Sequence, residues 1–436
     1  MVQRETVEKA LFSSAVGKPL LGVVLSWWAD YHLRFSGLSR ADKAAHLFWL
    51  AGPFLLLIER TPADIWLTVI GVWFLVRSFV NSDFSWAQLT WVRATFIFLG
   101  CSVISGMLSV NPSHSLTEAL IWFRFPLFAI ATVCWLGRDE KLVYAMYGAL
   151  GIGMLLMCGI LSAELMIEGQ KQGRLAWPYG DLVPGSYLAK ACMPAFLVVV
   201  ALISAVPLRL ASLFGITVIG NLIISLATGE RINLLLRLCA AGLATFVWRP
   251  RFSRSLFIVG FAVGSVALVL MIYPHLMDRF VSSFVDSLPG SSQSMFTGFI
   301  LSSLQMWKTA PIFGVGVDMY RQNCVGIETL VAGALCDNHP HNFYLQFLVE
   351  TGVVGLVSGT FMFGTILWPL IAVALRSPDN AIARTSWIVA LAFFWPVTTT
   401  ADFFGQWNNL FMWSGLALAM TSVNFGGSAT PYLKAS

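Results

Sequence analysis

Long apolar runs separated by short polar turns dominate this chain. A membrane-crossing helix needs roughly 20 apolar residues. Runs near that length recur at 44–59, 63–80, 91–108, 116–136, 142–168, 185–206, 208–227, 231–247, 254–274, 351–375, 383–401 and 406–424. The pattern predicts an all-α polytopic membrane protein of about twelve spans, with 1–436 as a single membrane domain. Leu20 to Trp28 is apolar but short, as expected of an interfacial helix. The one long interruption, 275–350, separates spans nine and ten. It is too long and too polar for a simple connector and is predicted as an external loop insertion with short helices. Within it, Asp286 to Ser294 is rich in Ser, Gly and Pro, and Phe299 to Trp307 suits an amphipathic helix lying on the membrane. No internal repeat supports an inverted-repeat transporter.

Composition strengthens this picture. Apolar residues make up 57% and charged residues 11%, and a soluble core of this length would lack the polar residues to cover itself. The net charge of +5 comes from scattered Lys and Arg, not from the stripe that nucleic-acid binding requires. Met1 to Lys18 mixes charged and apolar residues, which predicts insertion through the spans themselves instead of through a cleaved signal.

The basic residues set an orientation. A cytoplasmic start with Arg4, Lys9, Lys18, Arg34, Arg40 and Lys43 puts Arg138, Lys141, Arg209, Arg249, Arg251, Arg254, Arg376, Arg384 and Lys434 on the same side. The opposite turns, Asn111–Ser115 and Thr400–Gln406, are poor in cations. Both termini are therefore expected in the cytoplasm.

Basic residues that break this bias are candidates for function. Arg231 sits in Thr228-Gly229-Glu230-Arg231 at the mouth of span eight. Arg124 and Lys190 lie inside spans four and six, Arg279 follows span nine, and Arg174 and Lys171 lie in the external segment 169–184. Charges at such depth face a cavity or a partner. Arg231 could instead snorkel or pair with Glu230, and Arg124 could pair with Glu118, although an i−6 spacing is poor on a helix. Cations grouped near one membrane face suit phosphate or pyrophosphate, whose oxygens match guanidinium forks.

The densest polar cluster is Asp337-Asn338-His339-Pro340-His341-Asn342. It admits three readings. The first is a metal site, for which a third and fourth ligand are lacking because His114 and His275 have no obvious spacing to it. The second is a turn in which His341-Asn342 caps the next helix. The third is an imidazole base acting on a sugar hydroxyl. Of the seven cysteines, five lie in apolar runs; Cys324 and Cys336 lie in the long loop as a disulfide or as two free thiols.

His341-Asn342, nine residues, then Gly352-Val353-Val354-Gly355 resembles the H-N-x9-G-x-x-G pattern of O-antigen ligases and related polymerases. Trp307 with Pro311-Ile312-Phe313-Gly314-Val315-Gly316 is similar to the family's W…P-x-x-G-x-G stretch, and Thr228 to Arg231 to its T-G-x-R helix start. The family often has an arginine about one turn before that Trp; Ser302, Ser303 and Leu304 occupy that region here, so the contact is either missing or supplied by Arg279, Lys308 or Arg321. The resemblance implies a glycosyltransferase of the bacterial inner membrane, active on the periplasmic side, without cofactor or metal. The donor would be a glycan on undecaprenyl pyrophosphate, held by Arg124, Arg174, Lys190, Arg231 and Arg279. The acceptor would be a hydroxyl of the lipid A core. His341 would be the general base, Arg231 would stabilise the leaving group, and His339, Asn342, Gly352 and Gly355 would support the motif. The anomeric centre would be inverted. Polymerases and protein O-glycosylating relatives share the donor and base, and a lipid-linked glycan transporter would keep the cations without needing the imidazole.

Overall fold

The computed structural model describes residues 20–180, 184–248, 252–283, 285, 294–396 and 400–425. The expectations for Met1–Lys18, Arg249, Arg251, Lys434 and most of Asp286–Ser294 lie outside them. The described residues form helices and contain no β-strand; one isolated bridge joins Lys171 to Arg174. Every apolar run became a helix or helix pair. In order these are α1 (Leu20–Ser36), α2 and α3 (Arg40–Leu50 and Gly52–Ile58), α4 (Arg60–Val80), α5 (Thr90–Leu108), α6 (Pro112–Leu136) and α7 (Glu140–Ile167). Then follow α8 and α9 (Pro184–Ala191 and Met193–Ala205), α10 (Leu208–Ala227), α11 (Arg231–Val247) and α12 (Phe252–Ile272). Within the long insertion lie α13 (Met295–Thr309) and α14 (Phe343–Glu350), and beyond it come α15 (Gly352–Arg376), α16 (Ala381–Phe394) and α17 (Gln406–Met420).

Among the described residues seven helices are long and apolar enough to cross a membrane, or up to nine if the bent pairs α2–α3 (42°) and α8–α9 (60°) each count as one. Length explains the gap from the sequence expectation. The 14 residues of α16 rise only about 21 Å at 1.5 Å each, short of a hydrocarbon core of about 30 Å. The expected run 383–401 stops because Pro396 biases Trp395 to extended backbone. The 17-residue α11 carries Arg231 and Arg237.

The apolar bulk faces two ways. Trp49, Trp66, Trp91, Trp122 and Trp413 are fully buried, and α17 is buried from Asn408 to Met420. On α12, by contrast, Phe257 is 73% and Met271 70% exposed. So large an apolar outer surface is the mark of a membrane-embedded protein. Helix connectivity puts Arg138, Lys141, Arg254, Arg376 and Arg384 at one end of the bundle. The starts of α6, α11, α15 and α17, and the ends of α5, α7, α12 and α16, meet at the other end, where the polar clusters lie.

Candidate active site

The insertion docks onto the bundle through its motif glycines. Gly314 (φ +74°) and Gly352 (φ +70°) adopt left-handed backbone, which L side chains resist. A Cβ on Gly352 would lie 2.1 Å from the Ile312 carbonyl oxygen, and one on Gly314 2.4 Å from the Glu350 carbonyl carbon. The two segments bond directly: Val315 N–H donates to Val349 O (2.9 Å), Gly316 N–H to Glu350 O (3.1 Å) and Val353 N–H to Pro311 O (3.0 Å). The P-x-x-G-x-G and G-x-x-G stretches are thus two faces of one backbone-to-backbone corner. Gly355 follows one turn into α15, where its position is crowded by Thr351. Behind the corner, Met306, Met319, Tyr320, Cys324, Ile327 and Val349 form a small second core, and Cys324 and Cys336 are joined as a disulfide with Cα atoms 5.7 Å apart.

That corner sets the imidazoles. His341 has φ +54°, unusual for a residue with a side chain and a common sign of a functional position. Thr400 N–H holds its carbonyl at 2.8 Å. Asn342 caps α14, accepting from Tyr344 N–H (3.0 Å) and Leu345 N–H (3.1 Å), and its amide donates to Pro396 O (2.8 Å). His341 therefore precedes the cap without making it, and capping leaves its ring available. The ring lies 4.9 Å from that of Phe299 and 4.3 Å from that of His339. His339 Nε2–H donates to Thr400 O at 3.3 Å, and burial, with the neighbouring His341, lowers its pKa. Asp337, four residues before His341, places a carboxylate oxygen 3.0 Å from His341 Nε2.

The cations divide into groups. Arg174, Arg231 and Arg279 come together from three connectors. Arg279 Nε–H donates to Gly229 O (3.0 Å), while the Gly229 Cα packs so closely on Gly173 and Arg174 that a Cβ would fall 2.3 Å from Gly173 O. The Arg174 loop is pinned by the buried Glu164, whose carboxylate accepts from Ala176 N–H (2.9 Å) and Trp177 N–H (2.8 Å). Burial, with Arg174 and Arg231 alongside, lowers the Arg279 pKa. None of the three arginines has an ion pair among the described residues, and Arg231 Nη1 is buried without a hydrogen-bond partner. Like charges packed without a counter-ion are costly unless an anion joins them.

Arg124 stands apart. Its Nε donates to Asp64 at 2.9 Å and its guanidinium lies over Phe125. The partner is Asp64, 60 residues away, and not Glu118. Lys190 donates to Asn408 Oδ1 (2.6 Å), and Asn408 donates to Asp402 O (3.1 Å). Buried Glu230 interacts with Lys190, and Asp402 with His339. Lys190 thus lies between the charge of Glu230 and the Asn408–Asp402 pair. In α11 the wholly buried Arg237 is bonded by Ser225 and Asn221 and stacked on Phe196, which accounts for it as an interhelical tie.

Sequence reasoning missed Asn408, Asp402 and Glu164; an acidic or amide residue beside an apolar run was the available signal. It also missed a group with metal-ligand spacing. His114, Glu118 and Asp318 offer ligand atoms within 4.8 Å of one another, with His114 Nε2 and Asp318 already hydrogen-bonded at 2.8 Å. Asp337, His339 and His341 make no such group among the described residues.

These features define a multi-pass helical membrane protein with an imidazole pair and an arginine group at one end. The model of the O-antigen ligase family matches residues 216–358, the stretch that carries the motifs resembling that family. It contains Arg231, Arg279, both histidines and the motif glycines; Arg124, Arg174 and Lys190 lie outside it. The exopolysaccharide production protein ExoQ of Rhizobium meliloti (strain 1021) is 30% identical over 156 residues, covering 33% of this chain and 34% of the relative. The alignment thus spans about a third of that curated relative's length.

Proposed function

We propose that this chain is a glycosyltransferase that moves a glycan from undecaprenyl pyrophosphate to a sugar hydroxyl at the periplasmic face of the inner membrane. The observation that carries this reading is the group Arg174, Arg231 and Arg279, which makes no ion pair among the described residues and lies at the same end of the bundle as the histidines. Three guanidiniums suit a pyrophosphate, and a lipid-linked donor keeps its tail in the bilayer while its head group reaches them.

The acceptor hydroxyl loses its proton to His341 as its oxygen bonds to the anomeric carbon. The bond from that carbon to the pyrophosphate oxygen breaks, and undecaprenyl pyrophosphate leaves. The arginines stabilise the charge gathering on it. A single displacement inverts the anomeric centre. The first reading of the acceptor is a lipid A-core sugar, which makes the protein an O-antigen ligase with about twelve spans and cytoplasmic termini. The similarity to an exopolysaccharide production protein favours, as a second reading, an acceptor that is itself a growing glycan chain.

The test is transfer in proteoliposomes with purified lipid-linked glycan and both acceptors. His341→Ala should abolish covalent transfer, and Arg279→Ala should raise the donor KM at least tenfold. Unimpaired turnover by His341→Ala, or donor that crosses the bilayer without being transferred, refutes the enzyme reading.

A further inference from the structure

The two nitrogens of His341 have different surroundings. Nε2 faces the Asp337 carboxylate at 3.0 Å. Nδ1 has no hydrogen-bond partner among the described residues and is not among the enclosed atoms lacking one. We propose that Asp337 is a positioning residue for the transfer reaction: it holds the His341 ring through Nε2–H and leaves Nδ1 as the nitrogen that takes the acceptor's proton. This rests on the reading of His341 as general base.

Four features support the assignment. The Asp337 carboxylate is itself fixed, because its other oxygen accepts from Asn338 N–H at 2.7 Å. Its backbone follows directly on Cys336, which is tied to Cys324. The His341 ring is flanked by Phe299 and His339, and flipping it between them would take Nε2 away from the carboxylate. Finally, although partial burial works the other way, the His341 hydrogen bond and the Asn338 N–H hold the Asp337 carboxyl below the usual carboxylate range. An ionised carboxylate can only accept, so the shared proton sits on Nε2 and the lone pair on Nδ1.

The titratable groups facing the ring are Asp337 and His339, with Asp402 beyond His339. When Nδ1 takes the hydroxyl proton, the imidazolium has Asp337 as its counter-ion. His339 is a weaker candidate for the base, since its burial disfavours the cation that a base must become.

The full-length protein in proteoliposomes, with purified lipid-linked glycan and acceptor, gives the test through kcat and donor KM measured separately. Asp337→Asn should lower kcat by roughly 10²-fold with the donor KM unchanged. Asp337→Glu should recover part of the rate. Wild-type kcat in Asp337→Asn, or a loss with no recovery by Glu, overturns the positioning role. If Asp337→Asn is normal while His341→Ala is inactive, only this inference fails; if His341→Ala is fully active, the underlying reading fails as well. A measurement free of any variant is the nitrogen-15 spectrum of histidine-labelled wild-type protein. It should show His341 as the Nε2–H tautomer, and an Nδ1–H tautomer would overturn the proposal however the variants fold.

Discussion

Gly352→Ala should destabilise this protein more than Gly326→Ala, and the difference measures the corner that docks the insertion. Both glycines have left-handed backbone, φ +70° and φ +89°, so an alanine at either position costs about 1–2 kcal/mol in conformation. Around Gly326 nothing lies within 4 Å of an added Cβ. At Gly352 the Cβ would meet Ile312 O at 2.1 Å, Ile312 C at 2.3 Å and Phe313 N at 2.5 Å. All three belong to one peptide group, Ile312–Phe313, whose carbonyl accepts from Val354 N–H, while the preceding carbonyl, Pro311 O, accepts from Val353 N–H. Overpacking of that kind adds about 1–3 kcal/mol, so Gly352→Ala should lose about 2–5 kcal/mol in total. That is a large part of a typical stability of about 5–15 kcal/mol. Thermal unfolding in detergent, followed by tryptophan fluorescence, should place its Tm several degrees below that of Gly326→Ala. Equal losses would refute the reasoning. So would a Gly352→Ala protein of normal Tm that has lost donor binding, because the glycine would then serve the ligand and not the corner.

The remaining predictions separate other roles. Arg124→Ala should cost on the order of 1 kcal/mol, since it breaks a partly exposed pair with Asp64, and should leave the donor KM unchanged; a raised KM would return Arg124 to the donor-binding group. Reducing Cys324–Cys336 opens a loop with a sequence separation of 12, worth about 3 kcal/mol, and loosens the backbone beside Asp337. Transfer should fall on adding a membrane-permeant reductant, whereas undiminished turnover with both thiols shown free would break that link. Burial, with Asp402 and Asp318 nearby, lifts the Glu350 carboxyl well above its usual range. A raised folded-state pKa gives stability that is full below the unfolded value and lost as pH rises through the folded one. The Tm should therefore fall as pH rises above the ordinary carboxylate range, and Glu350→Gln should flatten that slope. Parallel curves for the two proteins would refute the assignment.

The helices were legible because each writes its own signal: an apolar run is local, and each run formed a helix or a helix pair over most of its length. Their ends were less so. Pro396 ended α16 early, and the shortness of α11, α16 and α17 follows from tertiary packing that a run length does not encode. His341 was legible from its motif, but the reasons for the glycines around it were not. Gly352 and Ile312 are 40 residues apart in sequence, and only their contact shows why position 352 does not tolerate a Cβ.

For the cations the sequence determined which residues were anomalous, because a charge inside an apolar run stands out on its own. It could not sort them. Arg124 found Asp64, Lys190 found Asn408, and Arg174, Arg231 and Arg279 found one another. The physical reason is one of range. Hydropathy and turn chemistry act over a few neighbouring residues and so can be read along the chain. A counter-ion, a hydrogen-bond partner or a steric limit comes from whichever residue folding brings within about 4 Å, and that the tertiary structure alone decides.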